Sequence, residues 1–278
     1  MNSTFKTTIL FTTLTIILVF VGGLVAGTSG AVFFFIIAVI MNFLSYWFSD
    51  KIVLMMYRAQ AVSPAEAPEL HSIVEGLARK ANIPKPKVFI IPTDAPNAFA
   101  TGRNPQNAVV AVTQGILRLL DRDELEGVIS HELAHIRNRD ILISTIAATM
   151  AGAVGLLLRN IFLFGLFGGR NKGGNPLLTF LILIVTYFIA IFTQMAISRT
   201  REYGADETGA KISGKPLELA NALLKLDAYS EKIRLDATPG TSHMFIVNPF
   251  KGSSFFSFTT HPPIKDRVER LKKLAYKY

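Results

Sequence analysis

The sequence DRDELEGVISHELAHIRNRD, at residues 121–140, carries the strongest structural signal in the chain. Asp121 can cap a helix N-terminus, and Glu124 can return a hydrogen bond from three residues later, which makes a capping box. The pattern predicts an amphipathic helix with one buried face. The apolar residues that recur at helical spacing are Leu125, Val128, Ile129, Leu133 and Ile136.

Two histidines, His131 and His135, lie four residues apart in this predicted helix, and Glu132 directly follows the first. Side chains at that spacing project from one face, so the two imidazoles can occupy adjacent corners of a zinc tetrahedron. Glu132 points about 100° round the helix and can hold a water beside the metal rather than bind the metal. A chance HExxH is the alternative, but burying these groups without partners would be costly. The arrangement is typical of a zinc protease.

The composition predicts a membrane protein. Of 278 residues, 50% are hydrophobic and 18% are charged, and the mean hydropathy is +0.37. These values are too apolar for one ordinary soluble domain. The chain has no cysteine, which excludes disulfides and thiolate zinc sites. Any metal must therefore be bound by histidine, glutamate or aspartate.

The basic residues are concentrated in two blocks. The formal net charge is +9, and almost all of the 29 lysines and arginines fall within residues 51–139 and 199–277, each next to an apolar run. The positive-inside rule predicts that such blocks face the cytoplasm. They lack the interleaved aromatic residues of a platform for single-stranded nucleic acid, so no nucleic-acid partner is expected.

Two apolar, uncharged runs, at residues 7–26 and 31–48, are separated by the sequence GTSG. Each run is long enough to cross about 30 Å of hydrocarbon, which predicts a transmembrane hairpin over residues 1–50. Tyr46 and Trp47 lie where aromatic residues mark a membrane interface. A cleaved signal peptide is the alternative, but the first run is too long for one and the second run follows at once.

A protease domain is predicted to follow in two parts, residues 51–140 and 198–278. The intervening residues 141–197 contain further apolar runs, which predict a second transmembrane or re-entrant hairpin that returns the chain to the same side. Within the first part, β-branched runs at Lys87–Ile91 and Ala108–Thr113 predict two strands.

A short edge strand is predicted between these two strands, at Asn97, Ala98, Phe99 and Ala100. Unpaired main-chain groups at a sheet edge can bind an extended peptide largely independently of its sequence. The four residues are therefore candidates for substrate binding. An ordinary hairpin without that role is the alternative.

A third metal ligand must come from a distant part of the chain. Residues 198–210 are predicted as a helix on which Glu202 and Asp206 share a face. One carboxylate can bind the metal while the other accepts an imidazole N–H and so fixes the orientation of the ring. The spacing does not decide between them, and a solvated charged helix is the alternative.

Taken together, these motifs resemble those of the HtpX family of membrane zinc endopeptidases. HELAH at residues 131–135 and EYGAD at residues 202–206, with an apolar hairpin between them, carry the resemblance. The match covers nearly the whole chain and extends to the related type I CAAX prenyl proteases. Further similar features are NAFATG at residues 97–102, THPP at residues 260–263, Asn138, Asp140 and Arg267.

The resemblance implies one zinc ion per subunit, with Glu202 as its third ligand and Asp206 as the partner of an imidazole. It implies His261 and Arg267 as catalytic donors near the substrate carbonyl or as supports of the site. From the residues alone, His261 could equally end a loop before Pro262. The fold expected is mainly α with a small antiparallel β-sheet, that of an integral membrane zincin-like (gluzincin) metalloprotease with transmembrane helices.

The expected function is that of a membrane-bound zinc endopeptidase. The resemblance implies a multi-pass protein of the cell (inner or plasma) membrane that faces the cytoplasm and cleaves misfolded or damaged membrane proteins in quality control and stress response. The charges around the HExxH place it at the bilayer surface rather than within hydrocarbon. A catalytically silent membrane scaffold or metal sensor is one alternative, and a narrow-specificity prenyl-protein protease is another.

Overall fold

The computed structural model describes residues 3–146, 199–230, 244–246 and 262–276. The strands are β1 (Gln60–Ala61), β2 (Lys87–Ile91), β3 (Ala98–Gly102) and β4 (Ala108–Thr113). The helices are α1 (Ser3–Met56), α2 (Pro68–Ala81), α3 (Gln114–Leu119), α4 (Arg122–Arg137), α5 (Arg199–Ser213), α6 (Pro216–Ser230) and α7 (Ile264–Ala275), and residues 141–146 are also helical.

Helix α1 folds back on itself. Gly27 has a φ of +60°, a conformation that glycine adopts without steric cost. The Asn42 side chain donates to Thr15 Oγ1 at 3.0 Å and to the Phe11 carbonyl at 3.4 Å. In a straight helix, Thr15 and Asn42 would be about 40 Å apart. The two arms of α1 therefore form a helical hairpin that turns at Gly27.

The second arm of this hairpin carries the membrane signal. Among the described residues, Gly27–Met56 is the one stretch long and apolar enough to cross a bilayer, with a hydropathy of 2.1 and only 11% of its most apolar window buried. The first arm contributes a shorter apolar segment, Phe11–Phe20. Insertion of both arms in the bilayer stays a prediction. The exposed large apolar residues of the second arm include Val32, Phe33, Phe35, Ile36, Val39, Ile40, Phe43 and Leu44.

The sheet is mixed, so the predicted antiparallel sheet is wrong. Its strand order is β1-β2-β4-β3, with β2 and β4 parallel and both outer pairs antiparallel. After β2 the chain passes to the far edge as β3, and β4 then returns between them. β3 runs in the direction opposite to β2, and β4 runs in the direction opposite to β3, so β2 and β4 are parallel. The strands predicted at Lys87–Ile91 and Ala108–Thr113 are confirmed.

Helix α4 lies at the centre of the domain. It packs against α2, α5, α6 and β3, and its apolar face is fully buried at Ile129 and Leu133. The predicted capping box is confirmed, because the Asp121 side chain accepts from the Glu124 N–H and the Glu124 side chain accepts from the Asp121 N–H. Burial of the apolar face on several sides therefore holds the HExxH in a rigid helix.

Several predictions fall on parts of the chain that the structure does not describe. Residues 147–198 contain most of the predicted second hairpin, and residues 247–261 include His261. Ser63 and Glu66 bond to each other in a separate turn before α2, which begins at Pro68.

Candidate metal and catalytic site

His131, His135 and Glu202 come together into one cluster of potential metal ligands. The two Nε2 atoms are 3.2 Å apart. The Glu202 carboxylate oxygens lie 3.7 Å from His131 Nε2 and 3.5 Å from His135 Nε2. A zinc tetrahedron with bonds of about 2.0–2.1 Å has corners roughly 3.4 Å apart. Three donors already near that spacing therefore fit a single zinc ion.

Close packing of α5 on α4 brings the carboxylate to the histidines. Gly209 on α5 lies so near the His131 backbone that an added Cβ would be 2.9 Å from the His131 nitrogen. Only a residue without a side chain permits this approach. Glu202 lies two turns before Gly209 on the same helix. The contact at Gly209 therefore fixes the position of Glu202 along the axis of α4. The Glu202 position therefore depends on a glycine seven residues away.

Asp206 orients His131 from the side opposite the ligand cluster. Its carboxylate is 3.0 Å from His131 Nδ1, which leaves Nε2 directed at the cluster. Arg267 in turn donates to both Asp206 oxygens, at 2.7 and 2.8 Å. Burial would raise the Asp206 pKa, but the Arg267 charge and hydrogen bonds lower that pKa to about 2. The carboxylate that holds His131 is therefore ionised.

Asp140 orients His135 in the same way, a role that was not predicted from the sequence. Its carboxylate is 3.5 Å from His135 Nδ1. Arg139 has a φ of +59°, and this left-handed residue ends α4 and turns Asp140 back, so that the Asp140 N–H bonds to the His135 carbonyl at 2.9 Å. Burial lowers the pKa of His135, but Asp140 and the nearby glutamates outweigh it and raise that pKa to about 9.

Glu132 lies beside the cluster without joining it. Its side chain is buried and accepts a 2.8 Å hydrogen bond from the Ala100 N–H of β3. Burial raises the Glu132 pKa, against the lowering effect of His131 and His135. A carboxylate whose pKa is raised in this way exchanges protons more readily near neutral pH. It is therefore suited to accept and return a proton.

The outer edge of β3 faces this site. Asn97 pairs inward, because its carbonyl accepts from the Thr113 N–H, and successive residues of a strand direct their main-chain groups to opposite sides. The Ala98 and Ala100 groups therefore point outward, as the Ala100 bond to Glu132 shows. β3 is the edge strand of the sheet. It therefore presents main-chain groups beside the candidate ligands.

The Asn97 side chain bonds to residues 244–246, and its predicted contact with substrate stays a prediction. Its side chain donates to the Met244 carbonyl and accepts from the Ile246 N–H, both at 3.1 Å. Residues 244–246 line the same cavity as Ala100 and the candidate ligands. Asn97 therefore fixes a wall of the cavity, whereas Phe99 and Ala100 line it directly.

Arg267 fits the supporting role better than a direct contact with substrate. Its guanidinium is 0% exposed, and besides Asp206 it contacts the Ile246 carbonyl at 3.4 Å. One Nη atom also lies 3.4 Å from His131 Nε2. Arg267 therefore supports Asp206 and the wall of the cavity from within the core.

Comparisons with known proteins agree with the geometry. A model of peptidase family M48 matches residues 64–275. A protease HtpX homolog of Thermococcus sibiricus is 54% identical over 278 residues, covering 97% of this chain and 95% of the relative. Another, of Thermodesulfovibrio yellowstonii, is 55% identical over 280 residues and covers 99% of each chain.

One solved structure shares the fold. The crystal structure of S. mikatae Ste24p aligns with 85% of this chain at a TM-score of 0.50 and 18% sequence identity. The chain spans 57% of the length of that protein. At this level of identity the likeness concerns the fold alone.

Proposed function

Because the chain belongs to peptidase family M48, we propose that it is a zinc endopeptidase that cleaves unfolded or damaged membrane proteins at the cytoplasmic face of the cell membrane. The HtpX resemblance inferred from the motifs is confirmed by the same comparisons. Family membership makes the chain a membrane metallopeptidase that hydrolyses peptide bonds. The identity of the metal, the substrates and the orientation belong to the proposal.

The observation that carries the proposal is the grouping of three metal-compatible donors with a buried glutamate. His131, His135 and Glu202 have donor atoms within 4.8 Å of one another, and Glu132 borders the same cavity. Two imidazoles and one carboxylate are a donor set that catalytic zinc uses, with a fourth position left open. Asp206 and Asp140 contact the two Nδ1 atoms, which directs both Nε2 atoms inward.

The chain's own residues supply the acid–base chemistry. Zinc, when bound, lowers the pKa of water from about 15.7 toward 7 and polarises a carbonyl. Glu132 accepts a proton from the attacking water and passes it to the nitrogen of the leaving amine. The Ala100 N–H fixes the Glu132 carboxylate beside the cavity. β3 holds the substrate extended, so that its carbonyl carbon lies within reach of the attack.

The form of the cavity supports unfolded substrates. A peptide paired with the Ala98 main chain and the Ala100 carbonyl would be recognised mainly through main-chain hydrogen bonds, which any extended sequence can make. Folded proteins seldom offer such a segment, whereas damaged ones do. The two basic blocks that contain the domain favour the cytoplasmic side of the membrane. A role in stress response follows from this substrate class.

Zinc content and cleavage measured on the same samples test the proposal. Full-length protein in liposomes is given an unfolded membrane protein, and the wild type is compared with Glu132→Gln. The variant should keep its zinc and lose about 10²–10⁴-fold in turnover, the usual contribution of a general acid–base group. Glu126→Gln, a change at a half-buried residue on the same helix where Glu126 pairs with Lys215, is the matched control.

Two results would overturn the assignment. Equal cleavage by wild type and Glu132→Gln would mean that the activity does not arise at this site. A zinc-loaded wild type that cuts no unfolded substrate would instead favour the silent scaffold or metal sensor.

A further inference from the structure

The level of the membrane interface is marked on the protein by Trp47. The continuous exposed apolar surface of the second α1 arm reaches Phe48, and only Met55 and Met56 are exposed apolar residues beyond it on α1. Lys51 lies over the Phe48 ring at 5.3 Å. The Arg103 guanidinium, just beyond β3, stacks on the Trp47 ring at 4.6 Å. Tryptophan with basic residues is the usual composition of the boundary between lipid and water. Arg103 and the end of β3 therefore lie at that boundary.

The same helix continues past the interface and holds the sheet. The Tyr57 ring lies 5.4 Å from the Phe99 ring of β3. Val53 and Leu54 are buried in one cluster with Phe99. The sheet is thus attached to the end of α1, and the attachment is apolar and rigid.

These two contacts give the direction of β3. Tyr57 directly follows the last residue of α1 and lies ten positions after Trp47, or about 15 Å along a helix. Their partners Arg103 and Phe99 are four residues apart, or about 13 Å along a strand. Because the two lengths nearly agree, β3 runs beside α1. The two partners follow each other in reverse order along the chain, so β3 runs in the opposite direction. Its Gly102 end points toward the bilayer. If α1 tilts by the usual 20° or so, the direction of β3 is close to the membrane normal.

The catalytic carboxylate can now be placed relative to the bilayer. Glu132 bonds to Ala100, which precedes Arg103 by three residues and so lies about 10 Å from the Trp47 level. Toward the membrane the edge is closed, because Thr145 Oγ1 accepts from the Gly102 N–H at 3.2 Å. Thr145 is itself fully buried. The part of the edge that can accept a peptide thus begins just outside the interface.

We propose that the site takes the extended segment of a membrane-anchored protein that directly follows or precedes its membrane span, and cuts it about 10 Å from the interface. This inference rests on the proposed function. A strand added beside Ala98 runs along the membrane normal. Because Thr145 closes the Gly102 end of the edge, the substrate chain passes outside Thr145 between the bilayer and the cleft. At about 3.3 Å per residue, 10 Å takes roughly three residues and this passage takes a few more, so the bond cut lies within roughly the first six residues outside the span.

A repeat substrate tests this position directly. Full-length protein is reconstituted in liposomes with a single-span polypeptide whose tail repeats one short cleavable unit, and the cuts are mapped by mass spectrometry. The same tail without the span, added in solution, is the reference. The free tail should be cut at every repeat, and the anchored tail mainly in the repeat next to the span. Even cutting along the anchored tail would overturn the inference and leave the proposed function intact.

A second substrate sharpens the test. Proline has no N–H and does not pair in a central strand, so a proline-rich unit replaces only the repeat nearest the span. Cleavage of the anchored substrate should then be largely lost, although every other repeat remains. Undiminished cleavage at the farther repeats would refute the fixed distance. If neither the free nor the anchored tail is cut in any form, the proposed function itself fails, and this inference fails with it.

Discussion

Arg267 and Asp206 form a buried, bidentate ion pair directly behind the candidate metal site. Nη2 and Nε of the guanidinium lie 2.7 and 2.8 Å from the two carboxylate oxygens, and the two side chains are 0% and 2% exposed. Such a pair contributes little net stability when intact, but removal of one partner leaves an uncompensated buried charge. Because Asp206 also contacts His131, the pair connects folding of the domain to the geometry of the site.

Removal of Arg267 should therefore affect both stability and metal binding. Arg267→Ala should lower the free energy of unfolding by about 3–5 kcal/mol and reduce zinc content, since Asp206 loses its fixed position. Arg270→Ala on the same helix is the control, because Arg270 stacks on Tyr203 rather than on the site. Equal stability and equal zinc content in the two variants would mean that the ion pair has no structural role.

The same pair predicts a window of acid sensitivity. The Asp206 pKa is about 2 in the folded protein against an ordinary value of 3.8, so the folded state binds this proton more weakly. The stabilisation is thus fully present above about pH 4 and is lost as the pH falls toward 2, by roughly 2 kcal/mol. Chemical unfolding followed at several pH values measures it. In Asp206→Asn this part of the pH dependence should disappear, and an unchanged slope would contradict the assignment.

Asp140 should matter for zinc affinity rather than for the fold. Loss of a carboxylate behind a ligand imidazole typically costs 10–100-fold in metal affinity, and we expect about that for Asp140→Asn in a chelator competition. Asp123→Asn, an exposed change in the first turn of α4 where Asp123 pairs with Lys215, should leave the affinity unchanged. Equal affinities in the two variants would show that Asp140 does not position His135.

Zinc binding should strengthen with increasing pH. The pKa of the His135 ring is about 9, so at neutral pH zinc must displace a proton from that ring. The apparent affinity should rise about tenfold per pH unit until the pH reaches about 9 and then level off. Asp140→Asn removes a cause of the raised pKa, so its plateau should begin at lower pH. A flat profile between pH 7 and 9 would contradict a protonated His135.

Gly209 provides a test of helix spacing with an internal control. Gly209→Ala would place a Cβ 2.9 Å from the His131 nitrogen, so α5 must move away from α4 and take Glu202 with it. Zinc content and thermal stability should both fall. Gly204→Ala, on the same helix with nothing within 4 Å of the added Cβ, should be neutral or stabilising by up to about 1 kcal/mol. Similar losses in both variants would point to helix propensity instead.

Local patterns in the sequence predicted the elements but not their arrangement. The capping box at Asp121 and the strands at Lys87–Ile91 and Ala108–Thr113 depend on neighbours in the chain, and the structure has them as predicted. The mixed sheet was missed because strand order depends on where the chain crosses, not on residue type. Strand β1 was missed because two exposed residues carry no periodic signal.

The candidate site shows the same division. The spacing of Glu202 and Asp206 predicted that they share one face of the helix. It did not predict which of them approaches the Nε2 atoms, because that depends on the close packing at Gly209. Asp140 received no role because its approach to His135 requires a left-handed residue at Arg139, which no apolar pattern reveals. The hydrogen bonds of the Asn97 side chain to residues 244–246 were not predicted, because they join segments that are far apart in the sequence.

The two halves of the ligand cluster are also separated in time during synthesis. His135 and Glu202 lie 67 positions apart, and at about 5–20 residues per second the ribosome needs several seconds to pass from one to the other. Until α5 has emerged and docked at Gly209, a nascent chain holds two imidazoles and no complete binding set. The chain is therefore inert while it is being synthesised, and it gains the capacity to hydrolyse peptide bonds only once its own assembly is finished.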